Sequence, residues 1–339
     1  MKLSIIVPVY NMAADGKLEY CLDSLVNQTI ADYEIIAVDD CSTDESMKVL
    51  SLYQNKYPEK FIAIHSEVNR RQGGAKNLGL KRAQGEWIGF VDADDWITPN
   101  FYETLIGEAE KNDADMAGCD YNLVSEHTFE VGEIQANGRE IQNGELKTQQ
   151  KESLILDGGS LCVKVFKRDR IIRDALFFPE GIFYEDNAMG GSYLLGAKKY
   201  VYIPKPMYYY YQHQSSTVHT INLQRSEDRL KACEIMISEA KRLGFYDEVR
   251  SALDYKFIIL YYTNTVFSYV RSKGWPKQSF IKKVGRGLLE TVPDFRENKY
   301  FKERINEEEK KMIDLQLKNT FLFTVYYKLL WAYRRLRKG

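Results

Sequence analysis

Apolar runs and helical periods alternate along the first hundred residues. A β-branched run over 3–9, bounded by Pro8 and Asn11, reads as a strand, and residues 18–27 follow with apolar positions at helical spacing. A second run over 33–38 ends in Asp39 and Asp40, and Ser42 or Thr43 then stands where it can cap a helix reaching about Tyr57. Asp44 and Glu45 fall in its first turn, where they complement the helix dipole. Residues 61–64 read as a third strand, 75–83 as a helix and 87–91 as a fourth strand. Repeated strand–helix units predict an α/β fold with a mainly parallel central sheet flanked by helices.

Past Pro99 the pattern loosens. A helix is expected over 101–111 and a strand over 116–121, while the polar stretch 125–148, with Gly132, Gly138 and Gly144, reads as hairpins or loops. From Leu223 helical periods dominate, over 223–243, 247–272, 279–289 and 319–335. The expected division is an α/β domain over 1–220 and a helical region over 221–339.

The chain has 339 residues, 44% of them hydrophobic, enough for one large core or two smaller ones. A net charge of −1 argues against nucleic acid as a partner. The five cysteines form no CxxC pair and suit buried, reduced thiols. The four histidines form no HExxH or HxH pattern, which argues against zinc. No run approaches the roughly 18 apolar residues of a membrane span. Met1 leads directly into the first strand without a signal-peptide pattern, so the expected location is cytoplasmic.

The chemistry gathers at strand ends. The run over 87–91 stops in Asp92, Asp94 and Asp95. That position is the carboxyl end of a strand, where open α/β sheets bind ligands. An Asp-x-Asp spacing offers hard oxygen donors to a divalent cation that also holds a diphosphate. An isolated acidic triplet is equally an ordinary surface turn. Asp39 and Asp40 at the equivalent end of another strand favour convergence, because both ends open on one edge of a parallel sheet. Between them, Gly73 and Gly74 permit close backbone approach, and Ala75, Gly79 and Ala83 give the helix a small-residue face for the sheet. Arg70 and Arg71 bring positive charge that serves either solvent or a nucleotide.

SIIVPVYN (4–11), CLDSLVNQT (21–29), AVDDCSTDES (37–46), GGAKNLGL (73–80) and GFVDADDW (89–96) resemble, in order, the motifs of family 2 glycosyltransferases with the GT-A fold. The resemblance covers about residues 2–100 and implies transfer of a sugar from a nucleotide-diphosphate donor with inversion at the anomeric centre. It implies that Pro8, Val9 and Tyr10 lie against the base, that Asp40 receives the base's ring N–H, and that Asp92, followed by Ala93, faces the ribose. Asp94 is implied as the residue that holds Mg²⁺ or Mn²⁺ on the diphosphate. Lys76 stands where the family often has Arg, which keeps the charge and loses the planar fork; it and Arg71 are the candidate cationic donor contacts. A weaker resemblance at FYEDNAMG (183–190) marks Asp186 as the general base, although Glu185 and Asp186 also suit the first turn of a helix. YYYYQHQSST (208–217) resembles a loop that closes over the diphosphate, and with Tyr211 where Arg is common, His213 and Ser216 become the candidate contacts. The QxxRW pattern of processive synthases is missing, which favours one sugar per encounter.

The tail NTFLFTVYYKLLWAYRRLRKG mixes aromatics with Lys328, Arg334, Arg335, Arg337 and Lys338. It reads either as an interfacial anchor on anionic lipid or as a final helix packed on the protein or on a second subunit. The function implied is transfer from a UDP-sugar to a growing bacterial surface glycan or lipid-linked acceptor, at the inner face of the plasma membrane. The rival is a nucleotide-sugar-binding protein of the same fold without transfer activity. A nucleotidyltransferase is disfavoured, because Pro8-Val9-Tyr10-Asn11 stands where such a protein has a Gly-rich basic loop.

Overall fold

The computed structural model describes residues 1–212, 222–272 and 274–338. The chain separates into two compact units, Met1–Ser216 and Thr217–Gly339. The first begins with β1 (Leu3–Val9), α1 (Lys17–Val26), β2 (Tyr33–Asp39), α2 (Ser46–Lys56), β3 (Phe61–His65), α3 (Arg71–Arg82) and β4 (Trp87–Phe90). These four strands lie parallel in the order β3-β2-β1-β4. Every residue of β1 and β2 is buried, as expected of strands covered on both faces. Val9 lies opposite Asp39, and Ile6 opposite Phe90. Continuing that register sets Asp92 level with Pro8, so the two acidic strand ends share one edge. Helix α3 lies close on β1 through Gly79, where a Cβ would stand 2.5 Å from Ile6 Cγ2.

β5 (Trp96–Ile97), α4 (Phe101–Lys111), β6 (Met116–Val124), β7 (Glu133–Gln135), β8 (Gly144–Glu145), α5 (Thr148–Asp157), β9 (Lys164–Lys167), α6 (Arg168–Arg173), α7 (Glu185–Leu195) and β10 (Lys199–Tyr211) complete the unit. The sheet continues as β4-β9-β6-β10-β5, with β9 antiparallel to both neighbours and β10 parallel to β6. The sheet is thus parallel in its first half and mixed beyond. β9 carries only two apolar residues between lysines, and Lys164 is nonetheless fully buried because Gly158 O and Ser160 O accept from its ammonium at 2.6 and 2.8 Å.

Two local expectations are corrected. Helix α2 starts at Ser46, because Ser42 Oγ is taken by the Asn11 N–H, 2.9 Å, and Asp44 accepts the Ser46 N–H instead, 3.0 Å. The segment expected to be a loop from Tyr208 is strand through Tyr211, pairing with Tyr121 to Val124 after a register break at Pro206. His213 and Ser216 lie outside the described residues.

The second unit is helical: α8 (Leu223–Arg242), α9 (Arg250–Phe257), a π-helical segment (Ile258–Asn264), α10 (Thr265–Arg271), α11 (Gln278–Thr291), α12 (Lys299–Arg304), α13 (Glu307–Lys318) and α14 (Thr320–Lys338). The π segment interrupts the single helix expected over 247–272. α13 opens with three glutamates behind an Asn306 cap, a start too polar to stand out by periodicity. No helix among the described residues is long and apolar enough to cross a membrane.

Gly79→Val should destabilise the protein by about 1–3 kcal/mol in urea unfolding through overpacking against Ile6. Gly107→Ala, in a helix with open space at its Cβ position, should be neutral or stabilising by about 0.5–1 kcal/mol. Equal effects of the two changes would contradict the α3–β1 packing.

Candidate active site

The loops after β1 and β2 are tied into one wall. Asp40 N–H donates to Val9 O at 2.8 Å, Thr43 N–H to Asn11 Oδ1 at 2.8 Å, and Met12 N–H to Ser46 Oγ at 2.8 Å. Pro8 and Val9 are buried in the strand, whereas Tyr10 is 46% exposed at its end. Asp40 is buried, and its Oδ1 accepts the Arg70 N–H at 2.7 Å. Burial pushes its carboxyl up, while the Arg70 and Arg71 backbone N–H groups hold it down. Asp39 is fully buried and bound to His65 Nδ1 at 2.7 Å, which makes it the anchored member of the pair.

Helix α3 braces the chain that leads to α7. Asn77 exchanges hydrogen bonds with the Phe178 backbone at 2.9 and 2.8 Å, and Arg70 pairs with Glu180 at 3.0 Å. A Cβ at Gly73 would lie 2.3 Å from Pro179 O, so the approach needs glycine there. Arg71, in the left-handed region at φ 63, stacks its guanidinium on the Phe183 ring at 3.9 Å. The chain enters α7 through Tyr184, also left-handed at φ 67. Of the next two residues Glu185 is buried and Asp186 exposed.

Glu185 meets Lys76 at 2.8 Å, with both side chains about 5% accessible. The Lys76 ammonium also lies 5.1 Å from the Phe178 ring centre. Burial works against its charge, but Glu185, Cys162 and Asp92 together outweigh it and raise its pKa. Lys76 is therefore enclosed behind the acidic edge.

Asp92 is half-buried and accepts from the Gln72 amide. Burial pushes its carboxyl up to about 6; Lys76 opposes this, and Asp94, Glu185 and Asp186 add to it. Carboxylates from two distant stretches of sequence therefore act on one another. Ala93 is buried beside them. Asp95 is also buried, and accepts from Tyr208 Oη at 2.6 Å and from the Tyr211 N–H at 2.9 Å. It fastens the acidic turn to β10. Gln72, Tyr208 and the anchoring part of Asp95 were not legible in the sequence, since a glutamine before a glycine pair and one tyrosine in a run of four carry no pattern.

Among the described residues, no three His, Cys, Asp or Glu side chains form a ready cage for a metal. The donor set instead fits a cation that takes one or two carboxylates and completes its shell with phosphate oxygens and water. The mutual repulsion around Asp92 is what such a cation would relieve.

A carboxylate-lined edge on an α/β sheet of this order is the arrangement of the GT-A architecture. The crystal structure of S. aureus TarS 1-349 in complex with UDP-GlcNAc matches it with a TM-score of 0.66, over 94% of this chain and 92% of that one, at 19% identity, which shows the fold. The model of glycosyl transferase family 2 matches residues 4–170, and the chain belongs to that family. The uncharacterized glycosyltransferase YibD of Escherichia coli K12 is 30% identical over 219 residues, 63% of this chain and 62% of its own length. The putative glycosyltransferase EpsH of Bacillus subtilis 168 is 28% identical over 308 residues, 87% of this chain and 85% of its own.

Three variants test this geometry. The raised folded pKa of Asp92 means that its ionisation costs native stability as pH rises from the usual 3.8 through about 6. Metal-free Asp92→Asn, which keeps the oxygen that Gln72 uses, should exceed wild-type stability by about 1–3 kcal/mol at about pH 7, with the gap closing near pH 3.5. A gap independent of pH would contradict the shared field. Lys76→Met should cost about 3–5 kcal/mol in urea unfolding by leaving Glu185 buried and unpaired, and adding Glu185→Leu should restore much of it. A single variant as stable as wild type would contradict the pairing.

Proposed function

We propose that the protein is an inverting glycosyltransferase that moves one sugar from a UDP-sugar to a hydroxyl of a growing bacterial surface glycan or lipid-linked acceptor. In this reading the catalytic domain spans 1–220 and works at the cytoplasmic face of the plasma membrane. The observation that carries it is the common field of Asp92, Asp94, Glu185 and Asp186 at the end of a parallel sheet. The UDP-GlcNAc held by the TarS neighbour supports a UDP-sugar as donor.

Pro8, Val9 and Tyr10 line the base, and Asp40 receives its ring N–H. Asp92 and Ala93 face the ribose. Asp94 would hold Mg²⁺ or Mn²⁺, whose charge stabilises the leaving diphosphate, a contribution of several kcal/mol. Asp186, exposed at the start of α7, takes the proton of the acceptor hydroxyl. The acceptor oxygen forms its bond to the anomeric carbon as the bond to the diphosphate oxygen breaks on the opposite side. A single displacement of this kind inverts the centre. Arg71, His213 and Ser216 are the candidate contacts to the diphosphate. Lys76 acts indirectly, by holding Glu185 and with it the first turn of α7.

A donor screen that follows release of free nucleoside diphosphate should find one UDP-sugar turned over, with activity lost in EDTA and restored by Mn²⁺ or Mg²⁺. Asp186→Asn should lower transfer by about 10²–10⁴-fold while leaving the affinity for UDP within about twofold. Full activity in that variant would overturn the assignment of the base. Donor binding without turnover in the wild type would favour a silent sugar-nucleotide binder.

A further inference from the structure

Helix α14 turns one face to its own unit and the other to solvent. Phe323 and Thr324 are fully buried, and the helix packs against α10, α11 and α13. On the opposite side Leu322, Tyr326, Leu329, Tyr333 and Leu336 are exposed, Leu329 by 67% and Leu336 by 83%. Their alternating four- and three-residue spacing keeps them on a single stripe about 21 Å long. Trp275, also exposed, stands 6.0 Å from the Phe321 ring and widens the patch at the start of the helix. Contiguous apolar surface of this kind marks a contact face.

Charge decides what covers it. The helix carries Lys328, Arg334, Arg335, Arg337 and Lys338, and residues 315–339 contain no Asp or Glu. Arg334 pairs with Glu308 of α13, while the Arg337 guanidinium lies 5.5 Å from the Tyr333 ring centre, next to the stripe. Two copies pairing in parallel through the stripe would set basic ends side by side. Antiparallel pairing would set each basic end against a turn equally free of acids. An anionic bilayer complements both features: its headgroups meet the cations, and its acyl boundary accepts the leucines, with tyrosine and tryptophan suited to the level between.

We propose that α14 is an interfacial helix that seats the protein on an anionic lipid surface through Leu322, Tyr326, Leu329, Tyr333 and Leu336. The seating is independent of the transfer chemistry, and its test reads binding alone. The full chain should cosediment with phosphatidylcholine vesicles containing about 30% phosphatidylglycerol and not with pure phosphatidylcholine, and salt should weaken the binding. Leu329→Glu with Leu336→Glu should lower the partition coefficient at least about tenfold, since each change removes an apolar contact and adds a repelled charge. Both positions face solvent, so the thermal midpoint should stay unchanged. Absence of binding by the wild type, equal binding to neutral vesicles, or undiminished binding by a folded double variant would each overturn the proposal. A concentration-dependent dimer in sedimentation velocity that the double variant abolishes, without vesicle binding, would overturn it in favour of a second copy of the chain.

Discussion

Carboxylates repel one another, and the first unit is organised around holding several of them together. Burial pushes the Asp92 carboxyl up to about 6, and Asp94, Glu185 and Asp186 add to the rise. Nothing in the side chains themselves favours that grouping. It is imposed by backbone: the parallel register sets the β2 and β4 ends on one edge, and the left-handed Tyr184 turns α7 so that Glu185 is buried and Asp186 exposed. A grouping of charge that the fold enforces against its own electrostatics is the usual mark of a functional site.

The enforcement has identifiable parts. Asp95 is bound by Tyr208 and by the Tyr211 N–H, so the acidic turn cannot drift from β10. The Lys76–Glu185 pair fixes the first turn of α7 from behind, and Asn77 and Gly73 clamp the segment that leads into it. A buried ion pair is a weak source of net stability, but breaking it strands a charge. Its value here is positional, and the same pair supplies the ammonium that opposes the rise at Asp92.

The sequence made β1, β2 and β4 legible because fully buried strands read as continuous apolar runs. The strand expected over 3–9 and the helix over 101–111 have those bounds in the structure. β9 was not legible, since Lys164 enters the interior on backbone carbonyls that no pattern announces. The α/β fold and the family followed from ordered motifs. The relation of the motifs did not: Lys76 read as a cation for a nucleotide, yet it meets a glutamate 109 residues away. Local patterns report what a residue can do, and tertiary structure decides which partner it meets.

The central claim is that these carboxylates are arranged for a pyrophosphate that carries a divalent cation. Titration calorimetry of UDP into the wild type and Asp94→Asn, each with and without Mn²⁺, measures it most directly. The account predicts that Mn²⁺ strengthens wild-type UDP binding by at least about tenfold, roughly 1.4 kcal/mol, and that the variant loses this gain. Equal UDP affinity in the wild type with and without Mn²⁺ would contradict it.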